Sequence, residues 1–198
     1  MTTFVFATEV PNVLPSTSSW ELVTNSRIFE SPLTKAVQTA ARKGAHWRIS
    51  LSFENLFDDD RANMQAFMAM LEGQRHRFSI KDHSFTRRGT GAQTGLVTAA
   101  SSGGTLNCTR TLTSSLTVKK GDYLSANNQL FMCIEDVTST STTIAIKVSP
   151  EVRVSSVGQA VELVSPVGVF MMTGSTGWDT QPGIYSSFNI EAIEDVLA

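Results

Sequence analysis

Several residue types that mark whole classes of protein are scarce in this chain. Its 198 residues include two cysteines, three histidines and two tyrosines. Two cysteines make no disulfide framework. Cys108 and Cys133 each fall inside an apparent strand, so both are expected as free, half-buried thiols packing as small hydrophobes. Sixteen basic residues against eighteen acidic ones leave a formal charge of −2. Without a strong positive field there is little to hold a phosphate backbone, and no nucleic-acid binding is expected. No apolar run approaches the roughly 18 residues of a membrane-spanning helix, so no membrane insertion is expected. Met1 to Val10 lack the basic region and apolar block of a signal peptide, which points to synthesis in the cytoplasm.

What is abundant is short, alternating and rich in Ser and Thr. Trp47, Ile49, Leu51 and Phe53 alternate with His46, Arg48, Ser50 and Ser52, the signature of a strand with one face in a core. Phe4 to Phe6 and Trp20 to Phe29 also read as strands, the second interrupted at Asn25-Ser26. Pro11, Pro15 and the Ser/Thr cluster around them read as a loop. One helix follows. Met64, Phe67, Met68 and Leu71 recur at helical spacing, Asp58, Asp59 and Asp60 stand where they can cap its start, and Gly73 is placed to stop it. Arg77 to Lys81 reads as the strand after it.

Composition shifts at Gly89. Six short β-runs then succeed one another: Gly95 to Ala99, Thr105 to Leu112, Leu116 to Val118, Gln129 to Val137, Thr142 to Val148 and Ala160 to Val164. Gly121-Asp122 and Asn127-Asn128 supply turns. Such spacing suggests a small barrel or sandwich. Val169 to Met172 and Ile184 to Ala192 return to the texture of the first part, separated by a Gly-rich loop holding Trp178, Pro182 and Gly183. The expected fold is mainly β with one α-helix. Residues 1–89 form the first part of a split main domain of sandwich or barrel-like form, 90–165 an inserted small β-barrel, and 166–198 the return.

No stretch has the spacing of a reactive centre. His46, His76 and His83 lie apart on strand faces and flanks, without the short-spaced His/Cys pair of a structural zinc site, so no metal is expected. Asp58, Asp59 and Asp60 are adjacent rather than alternating as in a calcium loop. Gly174-Ser175-Thr176-Gly177 departs from the nucleophile-elbow pattern. Lys119-Lys120-Gly121-Asp122 reverses a phosphate-binding loop and lacks its upstream glycines. Glu191 and Glu194 fall near the chain end, with no apolar surroundings evident to raise a pKa. Arg75, Arg77, Lys81, Arg87 and Arg88, interleaved with Phe78 and Phe85, form one basic cluster. With so little net charge, it is read as a polar face meeting an acidic surface on a neighbouring subunit. No catalytic residue, cofactor or metal ligand is expected, and the chain is read as a non-enzyme.

The order of motifs carries a resemblance. Ser31-Pro32-Leu33, Gln38-Thr39, Gly44 with Trp47 and Leu51, then Arg61, Phe67, Leu71, Gly73 and Arg77-Phe78 stand in one register. This resembles the opening domain of phage distal tail proteins. Gly121-Asp122-Tyr123, Gln129 to Val137, and Thr142 to Pro150 with Arg153 resemble the inserted OB-like barrel of some relatives, and Gly183 to Ile193 their closing strand. The resemblance implies a virion structural protein at the tail tip. Its subunits form a homo-oligomeric ring, usually a hexamer, that joins the tail tube protein to baseplate hub or tip proteins. At 198 residues there is no room for the large C-terminal domain that carries receptor-binding proteins in many relatives, so the connecting role is the expected one. Two alternatives stand beside it. One is a tail tube or tube-completion protein; the other is a carbohydrate-binding module using Trp178 or Tyr123.

Overall fold

The computed structural model describes residues 1–11, 13–93, 95–111, 114–153, 157–174, 177–180 and 185–195. Its first part holds β1 (Thr3–Val5), α1 (Phe6–Glu9), β2 (Thr17–Val23), β3 (Ser26–Glu30), β4 (Val37–Ala41), β5 (His46–Leu56), α2 (Asp58–Leu71) and β6 (Arg77–Ile80). The middle holds β7 (Val97–Thr98), β8 (Gly103–Thr109), β9 (Leu116–Val118), β10 (Tyr123–Ala126), β11 (Gln129–Cys133), β12 (Val137–Ser139), β13 (Thr143–Val152) and β14 (Val161–Glu162). The chain ends through β15 (Gly168–Met172), β16 (Trp178–Thr180) and β17 (Ser186–Glu194).

The alternation that marks β5 in the sequence is the alternation of its burial. Trp47, Ile49, Leu51 and Phe53 are buried, while Arg48, Ser50 and Glu54 face out. β5 lies between β2 and β17 in a seven-stranded sheet of order β1-β6-β15-β17-β5-β2, with β16 pairing the first residues of β17. Every pairing is antiparallel except β1 with β6. The sheet curls into half a barrel. Helix α2 supplies Met64, Phe67, Met68 and Leu71, all fully buried, to its core. The rings of Phe6 and Phe78 meet Phe67 edge-on at 5.2 and 5.7 Å.

Two details of the helix differ from expectation. The residue at the cap position is Phe57, with no side-chain cap hydrogen bond, so Asp58, Asp59 and Asp60 occupy the first turn. There they favour the positive end of the helix dipole without capping it. At the other end Glu72 turns left-handed (φ 46°) one residue before Gly73 (φ 67°). The short helix α1 is a second difference. Phe6 does not extend the strand begun by Phe4; it turns inward, where its buried ring locks that turn against Phe53 and Phe67.

After β6 the chain leaves this sheet and builds a second one, of order β14-β10-β11-β13-β8-β7. The two ends nearly meet. Val97 bridges Ala160, Gly158 N donates to Thr98 O at 2.8 Å, and Val161 N donates to Leu96 O at 3.0 Å. The result is a nearly closed six-stranded antiparallel barrel. Its core is separate from the first, built on Leu106, Cys108, Leu124, Phe131, Ile144, Ile146 and Val148 among others. A two-stranded ladder of β9 and β12 adds Leu116 and Val118 to it. Strand β10 was not legible beforehand, because Tyr123 to Ala126 is too short to show a period between the turns on either side.

The crossing into the barrel explains the change of composition at Gly89. Asp122 is buried, and its carboxylate accepts from the backbone N–H groups of Arg88, Gly89 and Lys119 at 3.0, 2.9 and 3.0 Å. A Cβ at Gly89 would stand 2.2 Å from the carbonyl oxygen of Thr117 and 3.0 Å from Asp122 Oδ2. Gly89→Ala is therefore expected to destabilise the chain by about 1–3 kcal/mol, the range for forced overpacking, measured by urea denaturation. An unchanged midpoint would show that this crossing is not close-packed.

Candidate assembly surface

Between β2 and β5 the chain makes a hairpin whose side chains are mostly exposed. β3 and β4 pair with each other from Ser26↔Ala41 to Glu30↔Val37 and belong to neither main sheet. Every residue of β3 is exposed. Ile28 is 71% exposed, Phe29 55%, Val37 61% and Leu33, in the connecting loop, 94%. Ile28 and Phe29 are consecutive, so their side chains leave opposite faces of the hairpin, and apolar surface is presented on both. The tip is held locally, by Lys35 N donating to Ser31 O at 3.0 Å and by a Lys35–Glu30 ion pair of 3.1 Å. An isolated two-stranded hairpin in water is marginal at best, and one with large apolar side chains on both faces is stabilised by being covered.

The root of this arm is tied down better than its tip. Arg42 N donates to Asn25 O at 2.9 Å, and the Asn25 side chain donates to Lys43 O at 2.9 Å. From there the chain enters β5 at His46, opposite Val23. The strand expected over Trp20 to Phe29 covers the second half of β2 and most of β3, and β4 lies outside every expected strand. Val37 to Ala41 has one large apolar residue and no alternation. Its strand character comes from its partner.

The residues singled out for chemistry go to separate structural tasks. His46 contacts the Gly44 carbonyl at 3.0 Å, and His76 accepts from Thr2 N at 3.2 Å while meeting the ring of Phe4 edge-on. His83 is half-buried, and burial, with Lys81 beside it, lowers its pKa against the opposing pull of Asp82. Among the described residues no three His, Cys, Asp or Glu side chains converge as metal ligands. Both cysteines are free and fully buried rather than half-buried. Burial pushes the Cys108 thiol up to about 12 and raises that of Cys133. Of Gly174 to Gly177, Ser175 and Thr176 lie outside the described residues, as do Pro182 and Gly183.

The arginines of the basic cluster each engage a group of their own chain. Arg75 pairs with Glu72 and Arg77 with Asp195, each at 2.5 Å. Arg87 donates to the carbonyls of Gly91, Thr90 and Thr117, and Arg88 to that of Lys120. Phe78 is core, and Phe85 stacks edge-on against Tyr123 at 5.3 Å. These arginines find partners within the chain, while Arg75, Arg88 and Lys81 keep exposed surface. Tyr123 is likewise no exposed platform. It is half-buried between Trp47, Trp20 and Phe85, at 5.5, 6.3 and 5.3 Å. The Trp178 side chain lies outside the described part.

One acidic residue was misjudged. Glu191 is exposed on β17, but Glu194 is buried where the half-barrel meets the barrel. Its carboxylate accepts from Trp47 N at 3.2 Å in β5, from Leu130 N at 2.7 Å in β11, and from Arg153 Nη2 at 3.2 Å. Trp47 Nε1 completes the seam by donating to Leu130 O at 3.0 Å. Burial pushes the Glu194 carboxyl up to about 7, against the donors that pull it down. Nothing local predicted this. The apolar environment is assembled from strands more than 60 and 140 residues away.

No protein-family model matches this chain, and no curated protein matches it either.

Proposed function

We propose that this chain is a virion structural protein that forms a ring at the distal end of a phage tail, connecting the tail tube to hub or tip proteins. The observation that carries the reading is the arm of β3 and β4, whose Ile28, Phe29, Leu33 and Val37 stay exposed. Such surface on a folded protein marks a place for a partner. The motif order from Ser31 to Phe78 supplies the kind of partner, further copies of the same subunit in a homo-hexameric ring. Rings arise from head-to-tail contacts whose rotation closes. Assembly of this sort needs interface area and no reactive side chain.

Light scattering and electron microscopy of the purified chain test the proposal. Closed rings, single or stacked in pairs, are expected. Protein that stays monomeric at high concentration overturns the reading, and long cylinders would reassign the chain as a tube protein. The arm gives a second test. Replacing residues 27–40 by an Asn-Gly turn, which suits a two-residue hairpin, is expected to leave the melting temperature within a few degrees of the parent. The same variant is expected to lose ring formation. A large fall in melting temperature would mean that the arm stabilises the monomer and is not free for a neighbour.

A further inference from the structure

The arm is basic as well as apolar. From Ser26 to Lys43 the cations are Arg27, Lys35, Arg42 and Lys43, all exposed, and the only acid is Glu30, within a chain whose net charge is −2. At the far end of β5 stands a patch with the opposite character. Phe57 and Tyr185, 51% and 42% exposed, meet edge-on at 6.1 Å where β5 ends and β17 begins. Glu54, Asp58 and Asp59, all exposed, adjoin Phe57 in the chain. The patch offers aromatic surface within an acidic field, and the arm offers aliphatic and aromatic side chains within a basic one.

The arm is rooted at His46 and the patch lies beyond Leu56, so the two stand at opposite ends of one strand, roughly 33 Å apart for an extended segment of that length. We infer that the arm of one copy docks on the Phe57–Tyr185 patch of the next copy, with Arg27 and Lys35 facing Glu54, Asp58 and Asp59. This rests on the ring reading for its premise that copies associate, and it names the surfaces. Because the two surfaces differ and sit at opposite ends, the contact is heterologous and repeats head to tail. Burial of the apolar side chains on the docked face of the arm supplies affinity, while the opposed charges choose the register and speed the encounter. The occupant is a second copy because the same chain carries both complementary halves, and the exposed arm shows that it does not satisfy its own patch.

A charge swap tests the inference. One variant carries Arg27→Glu with Lys35→Glu, and the other carries Asp58→Lys with Asp59→Lys. Each alone is expected to raise the concentration of half-assembly tenfold or more, measured by light scattering. Mixing the two is expected to restore assembly, since a negative arm then meets a positive patch and a positive arm meets a negative one. The parent assembly should also weaken with added salt, which screens exposed charges. The arm variant guards against loss of folding, because its substitutions lie outside the core, while the patch variant removes charges that favour the helix dipole. If the parent assembles and the arm variant assembles equally well, this docking is overturned and the ring reading stands. If the parent never assembles, both fail.

Discussion

Phe67→Ala is expected to lower the unfolding free energy by about 3–5 kcal/mol, seen as a lower denaturation midpoint at unchanged denaturant slope. The ring is fully buried and lies between Phe6 and Phe78, edge-on to both. It also comes from the longer helix, α2, beside Met64, Met68 and Leu71. Truncation removes the transfer free energy of the ring and leaves a cavity that its neighbours cannot readily fill. Phe78 is held in β6 by the ladder to β1 and β15, and Phe6 is fixed by the α1 turn. Arm residues give the contrast: Val37→Ala removes a side chain that touches little, and its effect is expected within about 0.5 kcal/mol. A loss below about 1 kcal/mol at Phe67 would mean that α2 does not pack as described.

The stability of the seam at Glu194 is expected to depend on pH in the direction opposite to ordinary acid denaturation. Its carboxyl titrates near 4.5 when unfolded and is pushed up to about 7 in the fold by burial. Between those values the folded chain holds a proton that the unfolded chain has released, so stability falls as pH rises. The favourable contribution is complete below the unfolded value and gone once pH has passed the folded one. A shift of this size corresponds to about 3 kcal/mol. Carboxyls such as Glu162 act in the reverse sense: burial pushes it up, but hydrogen bonds from the backbone of Ser165, from Gln93 and from the backbone of Val164 together hold it below its usual range. Their contribution is common to parent and variant and cancels in a comparison.

Glu194→Gln keeps the shape and removes the titration. Urea denaturation of both proteins should show the parent losing about 3 kcal/mol relative to the variant from about pH 4.5 to above 7. A difference that does not change with pH would sink the assignment. Charged groups nearby do not confuse the comparison: Arg153 is lowered by burial yet still faces Glu194, and Asp195 is paired with Arg77. Glu194→Ala is the harsher change. Above pH 7, where the carboxylate is charged, it leaves two backbone N–H groups and a largely buried guanidinium without their acceptor, and a cost of about 3–5 kcal/mol is expected for breaking a buried pair.

How far the chain could be read from its residues depended on whether the deciding physics was local. Alternation in His46 to Phe53 and helical spacing from Met64 to Leu71 are local, since pleat and helix period act over a few residues. Both elements stand as read, and with them the mainly β class. The turn that makes α1 was not legible, because Phe6 follows the strand pattern until its ring is drawn under Phe53 and Phe67. β4 and β10 were missed for a related reason: a short strand takes its identity from a partner, and the partner is chosen by the fold.

The candidate surface divides in the same way. Ile28, Phe29, Leu33 and Val37 are ordinary apolar residues in the sequence, and nothing there distinguishes a core strand from an exposed arm. Exposure is a property of what is absent around a residue, which only the tertiary structure decides. Glu194 is the converse, a charged residue that becomes buried because β5, β11 and Arg153 converge on it. The sequence by itself determined the mainly β character and the main helix, since these follow from period and composition. The tertiary structure alone decided which apolar side chains remain uncovered and which carboxylate is enclosed, because burial sums contributions from distant parts of the chain.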